Sequence, residues 1–289
     1  MKKLLCALLA IGLFLAIDVV AFAQEQEPEF DSCEQTFSEY EIFKSIKTES
    51  YDTLVSQGIS AEKIDFIKSF DFDKYAEKMR NCSDAELREK GLTEEAIRKV
   101  RNSNDDATIL AETMGKVTYR IAVVSYTYDS KEDTTSLTTN ATWTWSVTPV
   151  QTWTDAIGCR TSDHFHKTSG STTITYYMDG HRNATKKTFS ADVKTEDAGL
   201  SCYSRIPMRK EITSSGGLVK KYYALEGSCK VNWKISGMNK SSGIASNYGH
   251  AIVTCTPKVT LGSDNTLSFS PIAAIQKGKY EAYTPIDMK

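Results

Sequence analysis

Cys229-Lys230-Val231-Asn232-Trp233-Lys234-Ile235-Ser236 is the stretch that decides the fold class. Apolar side chains fall at every second position, leaving Lys230, Asn232, Lys234 and Ser236 on the other face, as in an antiparallel strand with one wet side. After a polar connection from Gly237 to His250 comes Ala251-Ile252-Val253-Thr254-Cys255. Folding about the middle of that connection pairs the two segments and brings Cys255 within a few residues of Cys229, so a disulfide is expected between them.

Working outward, the same alternation recurs. Val117, Tyr119, Ile121 and Val123 alternate with Thr118, Arg120 and Ala122; Trp143, Trp145 and Val147 alternate with Thr142, Thr144 and Ser146. Ile174, Tyr176 and Met178 form another strand, followed by the turn pair Asp179-Gly180 and a return through Thr188-Phe189. Further strands are expected over Leu218 to Leu225 and Leu267 to Phe269, while the Thr/Ser-rich run from Thr134 to Thr144 reads as a solvated loop and strand face. Many short strands without helical crossovers predict an antiparallel β-sandwich over 116–289.

Upstream of Gly115 the period lengthens. Cys33, Phe37, Tyr40, Phe43, Ile46, Tyr51 and Leu54 recur at three- and four-residue steps, which predicts an amphipathic helix ended by Gly58. Ser60 caps a second helix with Ile64, Ile67 and Phe70, and Phe72, Tyr75 and Met79 continue the spacing. Ser83-Asp84-Ala85-Glu86 is a capping box, Gly91 stops its helix, and Thr93 caps the next through Ala96, Ile97 and Val100. The fold class is therefore α+β: an acidic helical region over 24–115, then the sandwich.

Residues 1–23 read as a signal peptide. Lys2-Lys3 precede an apolar run from Leu4 to Val20, and Ala21-Phe22-Ala23 supplies the small-x-small exit. Cleavage there leaves no transmembrane anchor in the mature chain and delivers it, secreted, to an extracellular, oxidising compartment. Of seven cysteines, Cys6 leaves with the leader. The other six read as three staples: Cys33 with Cys82, Cys159 with Cys202 at mirrored distances from the Asp179-Gly180 turn, and Cys229 with Cys255. Asn81, Asn140, Asn183 and Asn239 stand in glycan-acceptor sequons, relevant only in a glycosylating host.

Charge divides the chain near Gly115. Residues 24–115 carry 22 acidic against 12 basic side chains, and 116–289 carry 14 against 21. Opposite signs can dock the two parts or leave the basic part for an anionic cell-wall polymer or a membrane surface, and the partner expected is a cell-wall polymer or another surface protein. Leu87-x-x-x-Gly91-Leu92-Thr93-Glu94-Glu95-x-Ile97 resembles a helix-hairpin-helix unit, whose backbone N–H groups hold a DNA phosphate. An exported, strongly acidic segment is a poor phosphate binder, so the stretch is read as a packing turn and no nucleic-acid partner is expected.

Asp163-His164-Phe165-His166 is the one histidine cluster in the sequence, and on a strand His164 and His166 would share a face as a metal pair requires. A third ligand is not evident, so no metal or other cofactor is assigned. Neither a Gly-x-Ser-x-Gly nor a His-Glu-x-x-His motif occurs. Among the aromatics Trp153, between Thr152 and Thr154, is the expected exposed ring for stacking a ligand, with Trp143 and Trp145 assigned to the core.

Leu87 to Ile97, together with Ser246-Asn247-Tyr248-Gly249-His250-Ala251, resembles a family of exported proteins of Gram-positive bacteria to which no activity is attached. The resemblance implies a leader, small helices with a Gly-Leu-Thr-Glu-Glu turn and a β region with Trp-x-Trp. Three functions follow as expectations. The first is a secreted, non-enzymatic binding or surface-interaction protein. The second is a hydrolase centred on His164 and His166. The third is a membrane-active toxin or bacteriocin-like protein that inserts alternating Thr/Ser and aromatic hairpins.

Overall fold

The computed structural model describes residues 32–56, 61–161, 164–196 and 199–250, and the strands at 258–261, 267–270 and 282–285. The expected signal peptide and the Ala251–Cys255 segment lie outside the described residues.

The chain opens with a strand, β1 (Ser32–Ser38), and then a run of short helices. These are α1 (Glu39–Thr48), α2 (Tyr51–Ser56), α3 (Ala61–Ser69), α4 (Phe72–Asn81), α5 (Asp84–Glu89), α6 (Glu94–Asn102) and α7 (Asp106–Thr113). The single helix expected from Cys33 to Leu54 is thus a strand and two helices. Cys33 and Phe37, four apart, also satisfy a period of two, and pairing with Ile121 and Val117 decides for the strand.

Two helix caps stand where the sequence places them, while the expected stop at Gly58 and cap at Ser60 lie outside the described residues. Ser83 accepts from Glu86 N while Glu86 Oε2 accepts from Ser83 N at 2.6 Å, and Thr93 accepts from Ala96 N. Phe43, Leu54, Ile64, Ile67, Met79, Leu87 and Val100 form the helical core. Val147 from the β part is buried in the same cluster, with Trp153 packed against it.

The β part contains β2 (Lys116–Asp129), β3 (Thr134–Trp145), β4 (Thr154–Thr161), β5 (His166–Met178), β6 (Lys186–Asp192), β7 (Lys194–Glu196) and β8 (Ser201–Pro207). It continues with β9 (Arg209–Thr213), β10 (Val219–Ser236), β11 (Ser241–Gly249), β12 (Lys258–Leu261), β13 (Leu267–Ser270) and β14 (Ala282–Pro285). One antiparallel sheet runs β1-β2-β3-β10-β5-β6 with β9 also on β10, a second runs β14-β11-β4-β8-β7, and β12 pairs β13. The first two face each other as a sandwich. Trp145 Nε1 donates to Tyr248 Oη at 3.1 Å and Tyr176 Oη to the Pro207 carbonyl at 2.7 Å, both across the gap.

The opening stretch is the second half of an 18-residue strand, β10, whose first half is the segment expected at 218–225. Its neighbours are β3 and β5, in place of the Ala251–Cys255 partner predicted from loop length. Gly237, at φ +86°, turns the chain out of this sheet, and β11 joins the other one. Gly227 sits where β10 crosses the Trp143 ring. A Cβ there would lie 2.3 Å from Trp143 Cζ2 and 2.4 Å from the Thr173 carbonyl oxygen.

The disulfide staples are corrected: Cys82, Cys159, Cys202 and Cys229 are free thiols. Cys159 and Cys202 are directly opposed on β4 and β8, so the mirrored spacing about the Asp179-Gly180 turn located the pair, but Cys229 of the other sheet meets Cys159 as well. The Cys202 thiol and then burial push Cys159 far above the ordinary thiol range. Contact with Cys159 and then burial do the same to Cys229. These are neutral, packed side chains that behave as small hydrophobes. Among the described residues the two sheets are joined by apolar packing and by hydrogen bonds across the gap. The side chains of Cys33 and Cys255 lie outside the described residues.

Candidate functional site

β2 and β3 form the longest hairpin between consecutive strands of the described chain, 14 and 12 residues joined by Ser130–Asp133. The turn is closed by its own acids: Asp129 Oδ1 accepts from Lys131 N at 2.8 Å, and Tyr128 Oη donates to Asp133 Oδ1 at 2.8 Å.

The register gives the inner face six rows. From base to tip these are Val117/Trp145, Tyr119/Trp143, Ile121/Ala141, Val123/Thr139, Tyr126/Leu137 and Tyr128/Thr135. All but Tyr128 are buried. Aromatic rings thus stand at the base and near the tip, with an aliphatic and threonine band between them. The other face carries Thr118/Thr144, Arg120/Thr142, Ala122/Asn140, Ser125/Thr138 and Thr127/Ser136. A bulge at Val124 keeps the alternation in phase beyond it, and Val124 itself is exposed.

Sequence reading found the two ends of this hairpin and missed its continuity. Thr135 and Thr139, both fully buried, interrupt the apolar positions on β3 and make 134–144 look like a wet loop. Register to β2 and β10 restores the period. The signal available in the sequence was Leu137-x-x-x-Ala141-x-Trp143-x-Trp145, which has one phase throughout.

β11 covers the aromatic base. The Tyr248 ring lies 6.2 Å from Tyr119 and 6.0 Å from Trp143, and the His250 ring stands edge-on to Trp145 at 4.6 Å. Their polar ends meet buried carboxylates. Tyr248 Oη donates to Asp155 Oδ2 at 2.6 Å, His250 Nδ1 lies 2.9 Å from Asp155 Oδ1, and His250 Nε2 lies 3.5 Å from Glu39 Oε1. The last is an ion-pair separation rather than a well-formed hydrogen bond. Glu39, at the start of α1, also accepts from the backbone of Val150 at 2.7 Å, Gln151 at 2.8 Å and Gly115 at 3.4 Å. Burial works against a charged His250, but Asp155 and then Glu39 outweigh it and hold the imidazolium up to about 10. Burial first, then the Asp155 charge, push the Tyr248 phenol well above its ordinary range.

A cleft of about 280 Å³ opens where the helices meet the β5–β6 turn, lined by Tyr75, Lys90, Val150, Asp179, His181 and Tyr223 among others. Asp179 and Gly180 are left-handed at φ +55° and +79°, and the Gly180 carbonyl accepts from Thr148 Oγ1, which fixes that wall. Burial and then the Glu39 charge push the Tyr75 phenol upward.

The residues singled out from sequence do not converge. Trp153, expected on the surface, is half-buried against the helical core. His164 is exposed in a left-handed conformation and His166 is exposed at the start of β5, while Asp163 lies outside the described residues. Among the described residues no group of three or more His, Cys, Asp or Glu is arranged to hold a metal. Among them, too, no helix is long and apolar enough to cross a membrane, which says nothing of crossing by strands.

No family model matches the chain, and no curated protein does. Among solved structures, one described as "Pore forming protein" is similar at 10% identity and a TM-score of 0.26, over 46% of this chain and 73% of that one. A superposition that loose fixes neither fold nor function for this chain.

Proposed function

We propose that the protein acts on membranes outside the cell that makes it, inserting the β2–β3 hairpin as part of a pore. The observation that carries this reading is the banding of the hairpin. A spanning β-strand takes about 9–11 residues, apolar toward lipid and polar toward the lumen, with aromatic residues at both interfaces. At 14 and 12 residues β2 and β3 are long enough, and most globular strands are far shorter. The aliphatic rows would meet lipid, the Tyr and Trp rows the two interfaces, and the Thr, Ser, Asn and Arg120 face a water-filled lumen. A lone hairpin has two open edges, so several copies must close the ring.

The test uses a planar bilayer and the surface residue Arg120, whose replacement leaves the sandwich core alone. Wild type is expected to give discrete channels, and Arg120→Glu to shift the reversal potential toward cation selectivity because lumen substitutions tune selectivity. Silence of both proteins in bilayers, or channels with unaltered selectivity, would remove the hairpin from the pore.

A second reading, binding of a polar surface ligand such as a cell-wall glycan, is favoured by the cleft at Tyr75 and Tyr223, which combines rings with Lys90, Asp179 and His181. Glycan titration that leaves tryptophan emission unmoved, in wild type and Tyr223→Ala alike, would dismiss it.

A further inference from the structure

If the hairpin is to reach lipid, something must hold its apolar face until then, and the structure assigns that role to four residues. We infer that Glu39, Asp155, Tyr248 and His250 form a catch on the aromatic base of the β2–β3 hairpin, and that opening it frees the hairpin from the second sheet. This rests on the membrane reading for its purpose and on geometry alone for its existence.

The base rows are the heaviest part of the apolar face: Trp143, Trp145 and Tyr119 are among the largest fully buried side chains described. What covers them is the end of β11, a strand of the opposite sheet, through Tyr248 and His250. Apolar contact alone would make that cover permanent. Here it is made by amphipathic side chains whose outward ends are tied to separate elements: Asp155 on β4, Glu39 at the entry to α1, and the Trp145 indole N–H on the hairpin itself.

The hydrogen bonds run in one chain from Trp145 Nε1 to Tyr248 Oη and on to Asp155, which also meets His250 Nδ1. Removing the Tyr248 hydroxyl takes a partner from the buried Trp145 indole N–H and from the Asp155 carboxylate at once, so the links weaken together. Met208 Sδ, 4.0 Å from Tyr248 Oη, is a weak substitute acceptor. The Trp145–Tyr248 bond ties β3 directly to the second sheet. Toward the tip, contact across the gap is of the Tyr126–Phe165 kind, rings 6.1 Å apart.

The test uses the full chain with Tyr248→Phe, which keeps the ring and removes the hydroxyl, and Asp155→Asn. Leu87→Ala, in the helical core, controls for general loss of stability. Hydrogen exchange read by mass spectrometry, without membranes, reports the hairpin. Dye release from vesicles of phosphatidylcholine and phosphatidylglycerol reports insertion.

The catch predicts exchange over 116–145 faster by about tenfold in Tyr248→Phe, the effect of one lost buried hydrogen bond, with peptides over 84–102 unchanged. Release should then need several-fold less protein. Exchange over 116–145 that rises no more than in Leu87→Ala overturns the catch. Should Asp155→Asn fail to fold, Tyr248→Phe alone decides. Faster exchange in the hairpin with no dye release from any protein would uphold the catch and remove the membrane reading.

Discussion

Raising the pH from 6.5 to 8.5 should weaken this fold through one side chain, His250. Its imidazolium is held up to about 10 by Asp155 and Glu39, against 6.5 for the free side chain. In that interval the folded protein keeps a proton that the unfolded chain releases, so stability falls as pH rises. The contribution is fully present below about 6.5 and is lost progressively as pH approaches the folded value near 10. The slope is half its full value at pH 6.5 and approaches about 1.4 kcal/mol per pH unit above that, so roughly 2 kcal/mol is lost between pH 6.5 and 8.5, a sizeable part of the 5–15 kcal/mol typical of a whole domain.

The raised Tyr248, Cys159 and Cys229 have the same sign and add to the loss at more alkaline pH, where their unfolded counterparts ionise. The assay is urea unfolding followed by tryptophan emission at fixed pH values. The midpoint should fall steadily between pH 6.5 and 8.5 in wild type and stay level in His250→Gln, itself less stable at the lower pH. A wild-type midpoint that does not move over this range would refute the buried ion-pair account.

Gly227→Ala should lower the thermal midpoint by an overpacking cost of at least about 1–3 kcal/mol, since one of the three clashing atoms is a backbone carbonyl oxygen that cannot step aside; an unchanged scanning-calorimetry midpoint would contradict it. Mass-mapped labelling with a maleimide should modify half-buried Cys82 in the native state and reach Cys159, Cys202 and Cys229 only in denaturant, whereas disulfides in the protein would leave those sites unlabelled until reduction. Ser83→Ala should cost about 1 kcal/mol by removing the cap of α5, visible as a lower urea midpoint, with dye release unaffected.

The sequence carried the elements better than their partnerships. Capping residues such as Ser83 and Thr93 act within one turn of helix, so their spacing is sufficient to place them. The wet and dry faces of β10 were legible for the same reason. Its neighbours were not: β3 and β5 lie many residues away, and loop length alone favoured the nearer segment after His250. The cysteines were read from number and compartment, which say nothing about whether three thiols packed together stay reduced. At the candidate site, the aromatic ends of the hairpin stood out, but Thr135 and Thr139 hid its middle, because a threonine methyl can face a core that a hydropathy count does not credit. Glu39 and Asp155 could not be found at all. An acid buried by a partner from another element looks in sequence like any other acid.

β1 has a consequence for how the chain is cut in the laboratory. It pairs residue by residue with β2 from Ser32–Ala122 to Ser38–Lys116, so the first described strand shields the outer rim of a sheet that belongs otherwise to the second half. An expression boundary drawn at Gly115 would strip that shield and leave β2 with a bare row of amides and carbonyls, the kind of template on which chains add to one another. Fragments that begin there should therefore collect as β-rich multimers, and the useful truncation keeps Ser32 onward.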